Sequence, residues 1–289
     1  MFDFRYHVAS LAAVFIALVL GILAGIGLSG RGFVNDAERS VLQGQIDDLR
    51  VQRDSAVEAL AIADRRGAAL DDFAETVYST LARGRLRDKR VAVLFAGSID
   101  QGISTAITRA VRDAGGSITR VRAIEVPLDQ AGIAAALSAP ARRDYVTRGR
   151  WEALGRALGG EFVAGGQTPL WDALAEAMVK EQTGPGKPTV DAVVIARPAR
   201  PQQGVSRDFL GGLYQGLASG DQTVVGVESA VAVTSAIPAF RRGGLSTVDS
   251  VESAAGRLAT ILLLAGGRPG SYGVEDTAAD GVLPPVPAR

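Results

Sequence analysis

Cysteine is absent from this 289-residue sequence, histidine occurs once and methionine twice. Each shortage excludes something. Without cysteine there are no disulfides, and the redox compartment leaves no mark on the chain. The single histidine is His7, at the start of an apolar segment. No Ser-His-Asp or Cys-His arrangement can therefore form in the rest of the chain, and histidine-rich zinc sites are excluded. An excess of either charge is lacking as well: Lys+Arg and Asp+Glu both number 31, which removes the global electrostatic case for nucleic acid. The densest basic stretch, Arg83, Arg85, Arg87, Lys89 and Arg90, reads as a solvated helix end followed by entry into a domain. The alternating strands of about ten residues that an outer-membrane barrel needs are also missing. Catalysis would have to rest on carboxylate, lysine or serine without histidine, and no spacing recommends it. The chain is expected to be no enzyme and to carry no cofactor and no resident metal.

What the chain does have begins at residue 8. The run 8–28, VASLAAVFIALVLGILAGIGL, contains no charged side chain. At about 1.5 Å per residue it is long enough to cross a hydrocarbon core of roughly 30 Å. It is too long for the apolar region of a signal peptide, and Arg5 is the only basic residue before it, so an uncleaved anchor over 1–29 is expected. Within it every fourth position is small: Ala9, Ala13, Ala17, Gly21 and Gly25. Such a ridge lets helix backbones approach closely, although Ala and Gly are abundant throughout the chain.

A connector with a different period follows, over 35–83. Reading a heptad from Leu42, the d positions are Leu42, Leu49, Ala56, Ala63, Leu70 and Val77. The a positions are Ile46, Arg53, Leu60, Gly67, Ala74 and Leu81. All but Arg53 and Gly67 are apolar, the signature of a coiled coil. A bend or break is expected near 65–67, because glycine weakens a helix by about 1 kcal/mol relative to alanine. Such a helix would reach roughly 70 Å at about 1.5 Å per residue and would hold a head domain away from a bilayer. The competing reading is a helix that packs on its own domain; the regular seam favours a partner helix.

From Arg90 short apolar runs alternate with amphipathic ones. Strands are predicted over 91–96, 117–126, 190–196 and 223–227. Helices are predicted over 99–114, 145–158, 170–181, 207–218 and 250–265, with a chain break at 184–188 (GPGKP). This alternation argues for a doubly wound, mostly parallel α/β domain over 90–276. The Pro/Gly/Ala-rich tail 277–289 is expected to be disordered. The first strand-to-helix turn, Gly97-Ser98-Ile99-Asp100-Gln101-Gly102, is neither a G-x-G-x-x-G fingerprint nor a P-loop. A ligand at the C-terminal edge of the sheet is left open by fold analogy alone.

Two stretches resemble the actinobacterial MctB family, named for a mycobacterial copper transport protein. One is Phe4-Arg5-Tyr6-His7 with Ser10-Leu11-Ala12-Ala13-Val14-Phe15 and Gly21-Ile22. The other is Ser246-Thr247-Val248-Asp249-Ser250-Val251, Gly256-Arg257 and Gly270-Ser271-Tyr272-Gly273. The order of anchor, coiled coil and α/β domain agrees along the chain, with Ser271 standing where the family pattern suggests histidine. The resemblance implies a role in copper transport or homeostasis. Copper prefers thiolate, thioether or imidazole ligands, so that role is expected to be indirect or to need an oligomer. A related branch of the family, SteB of corynebacteria, implies an alternative. There an extracytoplasmic coiled-coil adaptor serves cell separation, with a SteA-like cytoplasmic partner and a peptidoglycan hydrolase system. The family layout also implies a single-pass cell-membrane protein with a short cytoplasmic N-terminus; the flanking charges give almost no positive-inside bias. Expected partners are therefore the membrane and a second copy or coiled-coil partner, and no nucleic acid. In the closing signature Asp249, Glu252 and Arg257 are read as structural, with Thr247 or Asp249 capping the last helix. Gly270 and Gly273 are read as turn glycines around Tyr272.

Overall fold

The structure is a computed structural model that describes residues 4–29, 33–184, 189–198, 200–232 and 234–286. It divides into two units, Met1–Ala69 and Leu70–Arg289. The first unit holds α1 (Phe4–Ser29) and most of α2 (Phe33–Ala82). In α1, Val8–Ile26 is long and apolar enough to cross a membrane, and none of it is buried within the chain. Helix α2 runs through Gly67 without interruption, so the break expected at 65–67 does not occur. Its interior is rich in Ala, Leu and Arg, and the summed propensity of these residues outweighs the two glycines, Gly44 and Gly67.

The second unit is an α/β domain. Its elements begin with β1 (Arg90–Ala96), α3 (Gln101–Asp113), β2 (Ser117–Ile124), α4 (Gln130–Ala136) and the short α5 (Ala139–Ala141). A π-helical turn at Arg142–Thr147 leads to α6 (Trp151–Ala164), α7 (Pro169–Met178) and β3 (Val179–Thr183). There follow β4 (Ala192–Ala196), α8 (Gly204–Leu217), β5 (Thr223–Val227), α9 (Ile237–Arg242), β6 (Ser246–Val248), α10 (Ala254–Leu264) and β7 (Ser271–Tyr272). The sheet order is β3-β2-β1-β4-β5-β6-β7. Every pairing is parallel except β2 with β3.

The central strands are buried on both faces, as continuous apolar runs require. Val91, Val93 and Phe95 of β1 point into one core, with α3, α10 and the end of α2. Ala92 and Leu94 point into the other, with α4, α6, α7, α8 and α9. In that second layer α6 and α8 cross with backbones almost in contact. A Cβ at Gly155 or Gly159 would strike the backbone of α8, and one at Gly212 or Gly216 the backbone of α6. Two G-x-x-x-G pairs face each other here, a close-packing device best known from membrane helices.

Several boundaries differ from the sequence reading. The helix expected over 170–181 stops at Met178, and Val179–Thr183 turns into an antiparallel edge strand. Its polar sequence, VKEQT, reads as helix; tertiary context decides otherwise, since Arg122 Nη1 donates to the Thr183 carbonyl oxygen at 3.0 Å. The helix expected over 145–158 begins as the π turn and becomes α6 only at Trp151. The helix expected over 250–265 starts at Ala254, capped by Ser253, whose Oγ accepts from Gly256 N at 2.9 Å. Neither Thr247 nor Asp249 caps it. The tail is hydrogen-bonded rather than disordered at its start: Asp280 N donates to Ser271 O at 2.9 Å and Gly273 N to Gly281 O at 3.1 Å. Most of the expected chain break, residues 185–188, lies outside the described residues, as do the side chains of Tyr6 and His7.

Candidate functional site

Three groups of residues were singled out by sequence: the small ridge of α1, the seam of α2 and the closing signature. On α1, Ala9, Ala13 and Ala17 are exposed, and no described atom lies within 4 Å of a Cβ built at Gly21 or Gly25. On α2 the seam divides. Leu42, Ile46, Leu49, Leu60 and Leu70 are exposed, and the Arg53 guanidinium pairs with the adjacent Asp54 in solvent. Beyond Leu70 the helix is used differently. Ala74, Tyr78, Leu81 and Ala82 pack into the core shared by α3 and α10, and Val77 is half-buried. The last stretch of the expected seam thus packs on its own domain, while the earlier positions have no covering surface among the described residues.

A polar latch holds that last stretch in place. Arg257 of α10, with a side chain 5% exposed, pairs with Glu75 of α2 and donates to the Glu252 carbonyl oxygen. Its guanidinium stacks 5.0 Å from the centre of the Tyr78 ring. The Tyr78 hydroxyl donates to Asp113 Oδ2 of α3 at 2.9 Å. Burial, then the bond to Asp113 and its negative charge, push the Tyr78 phenol above its usual range, so it stays a donor. Arg109 joins the set, 3.1 Å from Glu75 and 3.6 Å from Asp113. A planar guanidinium can serve a carboxylate, a carbonyl and a ring face together, which lysine cannot.

Asp249 does something the sequence did not suggest. Its buried carboxylate accepts from Val274 N at 2.7 Å, Glu275 N at 3.3 Å and Thr277 Oγ1 at 3.0 Å. It therefore ties the turn after β7 to the end of β6. Gly273 has φ +144, and a Cβ there would collide with the Asp249 carboxylate. The glycine of the Tyr-Gly pair is thus required by close approach as well as by backbone conformation. Tyr272 is buried, with its hydroxyl donating to Arg268 O at 3.1 Å. Glu252 accepts from Ser229 Oγ and Ala230 N, both at 2.8 Å. These closing-signature residues hold loops.

Doubly wound sheets bind ligands outside the strand C-termini, where strand order reverses. Here that point lies between β1 and β4. At the β1 end Asp100 caps α3 through a 2.9 Å bond from Ile103 N. At the β5 end Glu228 accepts from Ser235 Oγ at 2.7 Å and Ala236 N at 2.6 Å. At the β4 end, however, Arg197 borders a cleft of about 620 Å³ that Arg207, Asp208, Tyr214 and Gln215 of α8 and Arg242 of α9 also line. Sequence reasoning missed this cleft. The available signal was an arginine directly after the buried run AVVIA, at the strand end where such sheets present ligand-contacting groups. Among the described residues no cluster of three His, Cys, Asp or Glu side chains is placed to hold a metal ion.

These features define a class: an apolar helix of membrane-crossing length, a long helix whose seam is exposed from Leu42 to Leu70 among the described residues, and a doubly wound α/β unit that contains neither cysteine nor histidine. The family model described as "Copper transport outer membrane protein, MctB" matches residues 1–284. The chain belongs to the MctB family. It is 32% identical over 121 residues to proteins named copper transporter MctB from Mycobacterium bovis and Mycobacterium tuberculosis. That stretch is 41% of this chain and spans 36% of the length of those relatives.

Proposed function

We propose that this chain is a single-pass, membrane-anchored MctB-family component of copper transport or homeostasis that works by assembly, without a copper site in one chain. The observation that carries this reading is the exposed apolar seam Leu42, Ile46, Leu49, Leu60 and Leu70. Its heptad spacing suits a second copy of the same helix. The ligand inventory supports it: with no cysteine, one histidine and two methionines, one chain offers copper few of the soft donors it prefers. The small ridge of α1 would add a second contact between copies in the bilayer. The reading places the short N-terminus in the cytoplasm and the α/β domain outside.

The absence of cysteine makes the test clean. Leu49→Cys and Leu60→Cys should crosslink to a second copy in intact cells under mild oxidation, whereas Val51→Cys, on the opposite side of the heptad, should not. Monomers at all three positions would overturn the assembly. Deleting the gene should raise cell copper, and unchanged copper content would overturn the copper role. Chained, unseparated cells with normal copper would move the same seam to the alternative reading: a cell-separation adaptor holding a SteA-like or hydrolase partner.

A further inference from the structure

The cleft bordered by α8, α9 and the end of β4 is open to solvent and has a volume of about 620 Å³, within the roughly 300–1,000 Å³ usual for small-molecule sites. Much of its polar lining is already engaged. Glu152 accepts from Arg156 at 2.7 Å, Gln215 also accepts from Arg156, and Asp208 pairs with Arg207 at 3.0 Å. Two guanidiniums are left. Arg242, exposed in the last turn of α9, has no hydrogen bond or ion pair among the described residues. Arg197 gives Nη2 to the Ser235 carbonyl oxygen at 3.3 Å, while its buried Nε has no partner among the described residues.

The inner wall adds a third donor. Tyr214 is 1% exposed, and its buried hydroxyl lies beside the Arg197 guanidinium without a well-aligned hydrogen bond to it or to any other described residue. Burial pushes that phenol up to about 12 against the opposing charge and hydrogen-bonding pull of the nearby Arg197, so it remains protonated. A buried donor left unpaired costs about 1–3 kcal/mol. The groups that answer such donors best are oxyanions, which guanidinium also grips in two-point fashion. Gln202 supplies a neutral contact: its Nε2 bonds the Arg200 carbonyl oxygen at 2.7 Å, leaving Oε1 to accept from a hydroxyl.

The geometry points to this cleft as a binding site for a small hydroxylated molecule bearing a phosphate or carboxylate, held through Arg197 and Arg242 over Tyr214. The site is tested by calorimetric titration of the full chain in detergent micelles with glucose 6-phosphate, glucuronate, inorganic phosphate and glucose. One of the charged sugars binds with a Kd of about 1 mM or tighter, and glucose binds at least about tenfold more weakly. Preference for glucose 6-phosphate assigns the oxyanion as phosphate, and preference for glucuronate as carboxylate. Arg242→Glu, at an exposed position, weakens binding at least about tenfold with the melting temperature unchanged. Tyr214→Phe keeps the ring packing, leaves the fold at least as stable and weakens binding about three- to tenfold. No heat from any anion up to about 10 mM overturns the site. Equal binding of glucose overturns it too, as does binding indifferent to Arg242→Glu.

Discussion

Replacing Gly212 by alanine adds one methyl group to a helix, which in isolation should stabilise it by about 0.8–1 kcal/mol. In this fold the expected sign is opposite. The new Cβ would sit 2.7 Å from the Glu152 carbonyl carbon and 3.0 Å from Arg156 N, both on the facing helix. Ordinary carbon contacts need about 3.5–4.0 Å, so α6 and α8 must part by about 1 Å. They are pinned by Trp151, Leu154 and Leu158 on one helix and Phe209, Leu213 and Leu217 on the other, all in one core. Forced overpacking of this kind costs about 1–3 kcal/mol or more, and here it also opens those contacts. A net loss of about 3 kcal/mol is expected, which lowers the melting temperature of a domain this size by about 6–12 °C. Gly211, one residue earlier on the same helix, is the control. Nothing lies within 4 Å of its Cβ, so Gly211→Ala should be neutral or stabilising by up to about 1 kcal/mol. Urea denaturation and thermal melts of both variants supply the measurement. Equal behaviour of the two, or a stable Gly212→Ala, would refute the close crossing.

Two further outcomes follow from the polar groups. Arg257→Met should destabilise the α/β unit by about 2–4 kcal/mol, since it removes a buried charge from Glu75, Tyr78 and the Glu252 carbonyl oxygen. Hydrogen exchange should then show amides 70–82 opening before those of β1, and unchanged protection there would refute the latch. Asp191, whose Oδ2 accepts from Arg90 N at 2.8 Å, is held below the usual carboxylate range by that backbone bond, then by the Arg90 side chain. The native state favours the charged form, so its stabilisation is complete above about pH 4 and is lost as pH falls through the lower folded value. The group is partly exposed, so the effect is about 1 kcal/mol or less. Asp191→Asn should flatten the acid limb of the stability curve, and an unchanged limb would refute the assignment.

Much of this architecture is legible in the residues themselves. The uncharged run at the start, the heptad period after it and the runs VAVLFA and TVVGV each mark their element by composition and spacing alone. Strand β3 was not legible, because VKEQT becomes a strand only when the β2 edge and Arg122 offer it hydrogen bonds. Strand β7 was not legible either: Ser271 and Tyr272 are too few to show a period, and their place is set by Asp249 and Asp280 elsewhere in the chain.

The sequence by itself determined which side chains are scarce, the helix fit to cross a membrane, the long seam and the α/β class. These depend on residue type and short periods, which need no partner to be read. Only the tertiary structure decided that the seam divides near Leu70, that Arg257 latches the helix end, and that Arg197, Tyr214 and Arg242 line one cleft. These residues are far apart along the chain, and the packing of helices on the sheet brings them together.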